Sequence, residues 1–247
     1  MARRNRHRLP TDRRVRPTLE KETLLWQRSG VFVFGLDEAG RGCLAGPVCA
    51  AAYAFPRGVG AIPEVRDSKQ IAEPIREAMF DEVRAAAAAS GVGFASAEEI
   101  DRFNILNATS LALLRAVERA LSATPAARLV FLTDGNQKLL HRARRFLEMP
   151  EFQRVRDLFS VGFEEEPVVK GDAKVASIAA ASLLAKVSRD RVMRDLDARF
   201  PGYEFRAHKG YSTELHVRKL YELGPTSEHR RSFSPVKQVL HPGEARP

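Results

Sequence analysis

The run VFVFGLDEAGRGCLAG, Val31 to Gly46, decides how the rest of the chain is read. Apolar residues lead into Leu36, two acids follow at Asp37 and Glu38, and Gly40, Arg41 and Gly42 come directly after. This is the pattern of a buried strand that ends in two carboxylates. Adjacent anions at the lip of an apolar strand repel each other and resist burial unless positive charge sits beside them, and a divalent cation supplies it most compactly. The glycines let backbone approach a ligand closely, and Arg41 carries a fork that matches phosphate. The same residues also suit a polar turn between two strands, and the run alone leaves both readings open.

A chain of 247 residues with 44% hydrophobic content suffices for one well-buried core. No apolar run approaches the length of a membrane span, and the amino terminus lacks an apolar stretch after its charges, so a soluble, cytoplasmic protein with no membrane association is expected. Cys43 and Cys49 are the only cysteines, too few for a four-thiolate zinc site, and are expected to be buried free thiols. The formal charge is +9, of which the seven arginines and one aspartate of residues 1–17 supply +6, leaving +3 for everything after them. Met1 to Pro17 cannot bury enough apolar surface to offset its ordering entropy, so residues 1–25 are assigned to a disordered basic arm. Its composition fits a polyanion partner, a solubilising extension or an organellar leader equally.

Val48 to Phe55, bounded by Pro47 and Pro56, reads as a second strand returning beside the first, with the glycine run near the bend. A polar loop with Asp67, Ser68 and Lys69 precedes a helix from about Pro74 to Ala89, and Val92 to Ser96 reads as a third strand. Leu111, Leu114, Val117 and Leu121 recur at helical spacing and predict a helix over 105–122. Arg128 to Thr133 is a fourth strand that ends, like the first, in an acid, Asp134. Lys138 to Glu166 is charged and aromatic, with one or two helices leading to a fifth strand at about 167–170. Gly171 and Asp172 then open a long alanine-rich helix to about Arg199, with Asp172 as its expected cap. Four of the six histidines follow residue 200 and match no common zinc spacing, so solvated or phosphate-facing roles are expected for them.

The order of elements gives a mixed sheet with helices packed on it. Parallel neighbouring strands would bring Asp37, Glu38, Asp134 and Asp172 to one edge, a hard-oxygen set suited to Mg²⁺ or Mn²⁺ rather than zinc. Asp190 lies about 27 Å along the same helix from Asp172 at roughly 1.5 Å per residue. It is therefore assigned to ion pairing with nearby arginines.

GLDEAGRG, DSK, NILNATSLA, DGN, KGDAKVASIAAASLLAKVSRDR, HKGYST and HRRSF, taken in order, resemble ribonuclease HII along nearly all of residues 31–238. The resemblance implies an α/β fold of the ribonuclease H type: a mixed five-stranded sheet flanked by helices, with a catalytic domain over 26–200 and a helical, substrate-contacting segment over 201–247. Lys138 to Glu166 departs from it, being longer than expected, and is assigned as an insert that could alter substrate access. The resemblance also implies an endonuclease that uses Mn²⁺ or Mg²⁺, two ions in the active complex; a monomer is expected. Such an enzyme cleaves the RNA strand of RNA-DNA hybrids and incises 5′ to ribonucleotides embedded in duplex DNA. It implies Asp37, Glu38, Asp134 and Asp172 as metal ligands, with Gly40, Arg41, Gly42 and Tyr211 reading the ribose 2′-hydroxyl. Further substrate contacts are assigned to Ser68, Lys69, Asn104, Lys170 and Lys209, which lie in the matching motifs. The arginine-rich arm falls outside the resemblance. A junction resolvase of the same fold, or a non-catalytic nucleic-acid-binding module, would share some of these features but not the requirement for a 2′-hydroxyl.

Overall fold

A computed structural model describes residues 16–59, 73–122 and 128–241. The chain begins with a short helix, α1 (Glu20–Trp26), and enters the sheet at β1 (Val31–Ala39) and β2 (Val48–Ala54). Next come α2 (Glu73–Ala85), β3 (Ala89–Ala95), α3 (Ala97–Phe103), α4 (Ile105–Leu121) and β4 (Arg128–Asp134). The region read as an insert contains α5 (Leu139–Arg142), a 3-10 turn and α6 (Gln153–Val161), then β5 (Glu164–Val168). The long α7 (Ala176–Arg199) leads to α8 (Phe205–His208), α9 (Glu214–Leu223) and α10 (Val236–Leu240). None of the described helices is long and apolar enough to cross a membrane.

The five strands form one mixed sheet in the order β3-β2-β1-β4-β5. β1 runs antiparallel to β2 and parallel to β4, and β4 is parallel to β5. Side chains alternate across the sheet. Phe34, Leu36 and Phe131 face α4, α5 and α6, with the Phe34 and Phe131 rings stacked at 5.4 Å. Val31, Val33, Val130 and Leu132 face α7. The alanine-rich half of α7 fits because it comes down directly on Gly35, where a Cβ would stand 2.1 Å from the Ser177 backbone carbon. On the other face α4 lies as close to Gly91 and Gly93.

Several boundaries differ from the sequence expectation. The assigned arm of residues 1–25 ends earlier than 25: Thr18 bonds to Lys174 and Ala176, and α1 docks through buried Trp26 and Glu22. Glu22 accepts the Ser177 amide at 2.8 Å, so a distant helix satisfies the amino end of α7. Asp172 is not its cap, because Gly171 to Ala173 form a separate 3-10 turn and α7 starts at Ala176. The fifth strand begins three residues before the expected Pro167. It recruits the acidic run because Glu165 is buried as a hub that accepts from Thr133, Leu140 and His141. Both cysteines are free and buried, as expected.

Candidate active site

The site follows from strand register. Leu36 is level with Thr133 on the parallel neighbour, so the next residue of each strand, Asp37 and Asp134, lies side by side at the sheet edge. Alternation puts both on the face that α7 covers. Asp37 is buried, and its carboxyl is raised well above the usual range, first by burial and then by the charges of Glu38 and Asp134. The Ser182 hydroxyl of α7 and the Glu38 amide, 2.7 Å away, favour its ionised form without overcoming the burial. Glu38 emerges from the opposite side of the strand end and pairs with Arg41 at 3.0 Å. Asp134 accepts the Gly171 amide at 2.7 Å, which brings the turn carrying Asp172 to the same edge. Asp37, Glu38 and Asp134 interact at this edge and Asp172 lies in the adjoining turn, but among the described residues no three His, Cys, Asp or Glu side chains form a ready-made ligand cluster.

Carboxylate oxygens at this edge, with the buried Asp37 beside Asp134 and Glu38, are hard donors of the kind that suits a divalent cation such as Mg²⁺ or Mn²⁺. Cys43 and Cys49 lie in the same hairpin, but burial pushes both thiols up, so neither is a thiolate near neutral pH.

The glycine loop beside the acids is held by two fully buried arginines that sequence reasoning did not single out. Arg230 donates to the carbonyls of Gly40, Arg41 and Gly46 at 2.7, 2.8 and 3.0 Å. Burial and the neighbouring Arg189 lower it to about 10. Arg189 donates to Ala45, Pro47 and Lys209 at 3.1, 3.0 and 2.8 Å. A trans peptide points its carbonyl and the following amide in opposite directions. With the Gly40 and Arg41 carbonyls turned inward to Arg230, the amides of Arg41 and Gly42 turn outward at two exposed residues. Gly40 needs its missing side chain twice over, because φ is +90° and a Cβ would strike the Arg189 guanidinium.

Arg189 also joins this loop to the one carrying Tyr211. It holds the Lys209 carbonyl, and the Leu44 amide reaches the Gly210 carbonyl at 2.7 Å. Tyr211 is 42% exposed, with Lys186 and Arg189 about 6 Å from its ring centre (5.8 and 5.9 Å). Its carbonyl ends a buried histidine chain, where solvated histidines were expected. The Thr226 amide donates to His229 Nδ1 at 3.0 Å. His229 Nε2 then donates to His216 Nε2 at 3.1 Å, and His216 Nδ1 donates to Tyr211 at 2.9 Å. Burial and mutual proximity push His216 to about 4 and His229 to about 3, so both are neutral links. His208 stacks on His216 and donates to the Tyr203 carbonyl, leaving its Nδ1 to accept the Gly210 amide.

The remaining assigned residues are dispersed. Ser68 and Lys69 lie outside the described residues. Asn104 is exposed, but its side chain caps α4 by accepting the Leu106 and Asn107 amides. Lys170 is exposed in a left-handed conformation just before the Asp172 turn. Lys209 is buried and contributes its carbonyl to Arg189. Asp190 pairs with Lys186 at 2.6 Å and with Arg76 at 3.4 Å, so its partners are one lysine of its own helix and one arginine of α2.

Residues 34–236 match the family model described as Ribonuclease HII. The chain is 43% identical over 224 residues to the Ribonuclease HII of Albidiferax ferrireducens, covering 91% of this chain and 96% of that one. It is 41% identical over 230 residues to the Ribonuclease HII of Geotalea uraniireducens, covering 93% and 95%. The fold resembles the ribonuclease H2 from Pyrococcus horikoshii, with a TM-score of 0.61 at 20% identity over 84% of this chain and 96% of that one. It also resembles Bst-RNase HIII solved in complex with Mn²⁺, with a TM-score of 0.60 at 18% identity over 90% and 74%.

Proposed function

The chain belongs to the ribonuclease HII family, and from that premise we propose a metal-dependent endonuclease that hydrolyses the RNA strand of RNA-DNA hybrids. It also incises 5′ to ribonucleotides embedded in duplex DNA, leaving 3′-hydroxyl and 5′-phosphate ends. The observation that carries this reading is the register that sets Asp37 beside Asp134, with Asp37 buried among anions. Asp37, Glu38, Asp134 and Asp172 hold the cation. When bound, Mg²⁺ or Mn²⁺ supplies charge neutralisation and an activated water for in-line displacement.

The carboxylates see the same scissile phosphate in RNA and DNA, so the 2′-hydroxyl must be read elsewhere. The outward amides of Arg41 and Gly42 can donate to it, and the Tyr211 phenol can reach the same sugar while its ring packs on it. Contacts to the substrate backbone are assigned to Lys170, exposed just before the Asp172 turn, and, from the family resemblance alone, to Ser68, Lys69, Asn104 and Lys209. Residues 26–200 are assigned as the catalytic domain and residues 201–247 as the substrate-contacting segment, of which the part around Tyr211 is tied to the glycine loop through Arg189, and the enzyme acts as a cytoplasmic monomer.

A duplex with one embedded ribonucleotide, an all-DNA duplex and a branched all-DNA junction are compared in Mg²⁺ and in Mn²⁺. Cleavage confined to the 5′ side of the ribonucleotide is expected. Equal cleavage of all-DNA substrates would overturn the reading.

A further inference from the structure

The segment just past Asp134 carries charge for which the catalytic edge has no use. From Gly135 to Leu147 the chain holds Lys138, His141, Arg142, Arg144 and Arg145 and no acid. All five are exposed. His141 contacts the buried Glu165 at 2.7 Å. The other four have no carboxylate partner among the described residues, and Arg144 and Arg145 lie over the rings of Phe159 and Phe146. Arginines in several other places are paired: Arg28 and Arg128 share Glu164, Arg191 and Arg194 share Glu77, and Arg115 holds Glu99 and Glu151, whereas here four cations without a carboxylate fall within eight residues. A run of unpaired cations repels itself, so its placement on one rigid ledge calls for an external anion.

The ledge is rigid because Leu139 and Leu140 are buried beneath it and Glu165 accepts the amides of Leu140 and His141 at 2.9 and 2.8 Å. Gln137, Lys138, His141 and Arg142, with Leu106 in the first turn of α4, line an open cleft of about 640 Å³. Asn104 accepts the Leu106 and Asn107 amides of that turn. Lys138 follows Asp134 by four residues, so their backbones are within roughly 14 Å of each other. That corresponds to about four nucleotides at roughly 3.4 Å of axis per phosphate on one strand.

We propose that this cleft, together with the exposed arginines that follow it in the chain, is a second anchoring site for a nucleic-acid backbone, in which Lys138 and Arg142 in the cleft and Arg144 and Arg145 just after it take phosphates a few nucleotides from the scissile bond. The inference rests on the nuclease reading, because it requires a duplex lying across the Asp134 edge. It adds a footprint that is indifferent to sugar and sequence, fixing where the duplex lies while the glycine loop inspects one ribose.

The test is duplex binding by the full chain with Ca²⁺ in place of Mg²⁺, measured from 50 to 300 mM salt on a duplex with a single ribonucleotide. The quadruple variant Lys138→Gln, Arg142→Gln, Arg144→Gln, Arg145→Gln is compared with wild type. Because these side chains are exposed, the melting temperature is expected to stay unchanged. Each phosphate contact contributes about 0.9 to the slope of log K against log salt, so the slope should fall by about 3 to 4 and affinity by at least tenfold. A slope change below one overturns the proposal. So does an equal loss in the control Arg28→Gln, Arg128→Gln, whose side chains lie at the opposite end of β1 and β4. Wild-type protein that binds no duplex would refute the nuclease reading itself, an outcome distinct from binding with an unaltered slope in the variant.

Discussion

Replacing Arg189 with methionine keeps a long helix-compatible side chain in α7 and removes a guanidinium that is fully buried and bonded to three carbonyls. A buried carbonyl left without a donor costs about 1–3 kcal/mol, which for three gives a gross loss of roughly 3–9 kcal/mol. Two effects offset part of it. Methionine has no charge to desolvate, and the repulsion with Arg230 disappears. A net loss of about 3–5 kcal/mol follows, in the range observed when one partner of a buried charged network is deleted. That is a large part of the roughly 5–15 kcal/mol stability of a domain. At about 2–4 °C per kcal/mol for a chain of this size, the melting temperature should drop by roughly 6–20 °C.

Arg189→Lys keeps the charge but presents a point donor where the structure uses a fork, so an intermediate drop is expected. Melting is followed by circular dichroism, and cleavage of a single-ribonucleotide duplex is timed at 20 °C. Since Arg189 joins the glycine loop to the Tyr211 loop, both variants should lose at least tenfold in kcat/KM while folded. A melting temperature within about 2 °C of wild type, or full activity in either variant, would show that the two loops do not depend on this clamp.

Asp134→Asn should abolish cleavage in both metals while duplex binding and folding persist; near-normal turnover would refute the carboxylate site as drawn. Gly35→Ala places a Cβ 2.1 Å from the α7 backbone and should destabilise by several kcal/mol, seen as a lower denaturant midpoint. The histidine chain gives a pH dependence whose sign is fixed. His216 and His229 fall from about 6.5 unfolded to about 4 and about 3 folded, so the unfolded chain binds more protons in that interval. The neutral cluster's stabilisation is therefore complete above about pH 6.5 and is lost as pH falls towards 4, by a few kcal/mol. Denaturant unfolding across that range should show the decline, and His216→Gln with His229→Gln should flatten it.

The first four strands and the two long helices were legible because their signals are local: apolar runs near proline and glycine, and leucines at helical spacing. The acids at 37, 38 and 134 were legible because each ends such a run. What escaped was set by partners distant in sequence. Arg189 and Arg230 look like ordinary surface arginines until the carbonyls of residues 40–47, roughly 140 to 190 positions away, fold over them. His216 and His229 carry no sign of burial, since each is satisfied by the other and by backbone. Glu165 sat in a run of three acids that reads as solvent, and only strand alternation turns the middle one inward. Asp172 was taken as a cap because Gly-Asp before an alanine run fits that role, whereas the cap is Glu22 on another helix.

The side-by-side placement of Asp37 and Asp134 makes the sheet a measuring device. Neighbouring strands stand about 4.8 Å apart whatever their side chains, so the gap between these two acids is inherited from backbone spacing rather than tuned by packing. Such a gauge has discrete settings. Sliding β4 by one residue against β1 would turn Asp134 to the α4 face, and sliding it by two would carry it about 7 Å along the strand. Strand alternation allows no intermediate setting between these steps. In a weakened population each molecule is either in register and fully competent or out of register and inert. Destabilising substitutions far from the edge should therefore lower the titratable fraction of active enzyme and leave the turnover of that fraction unchanged.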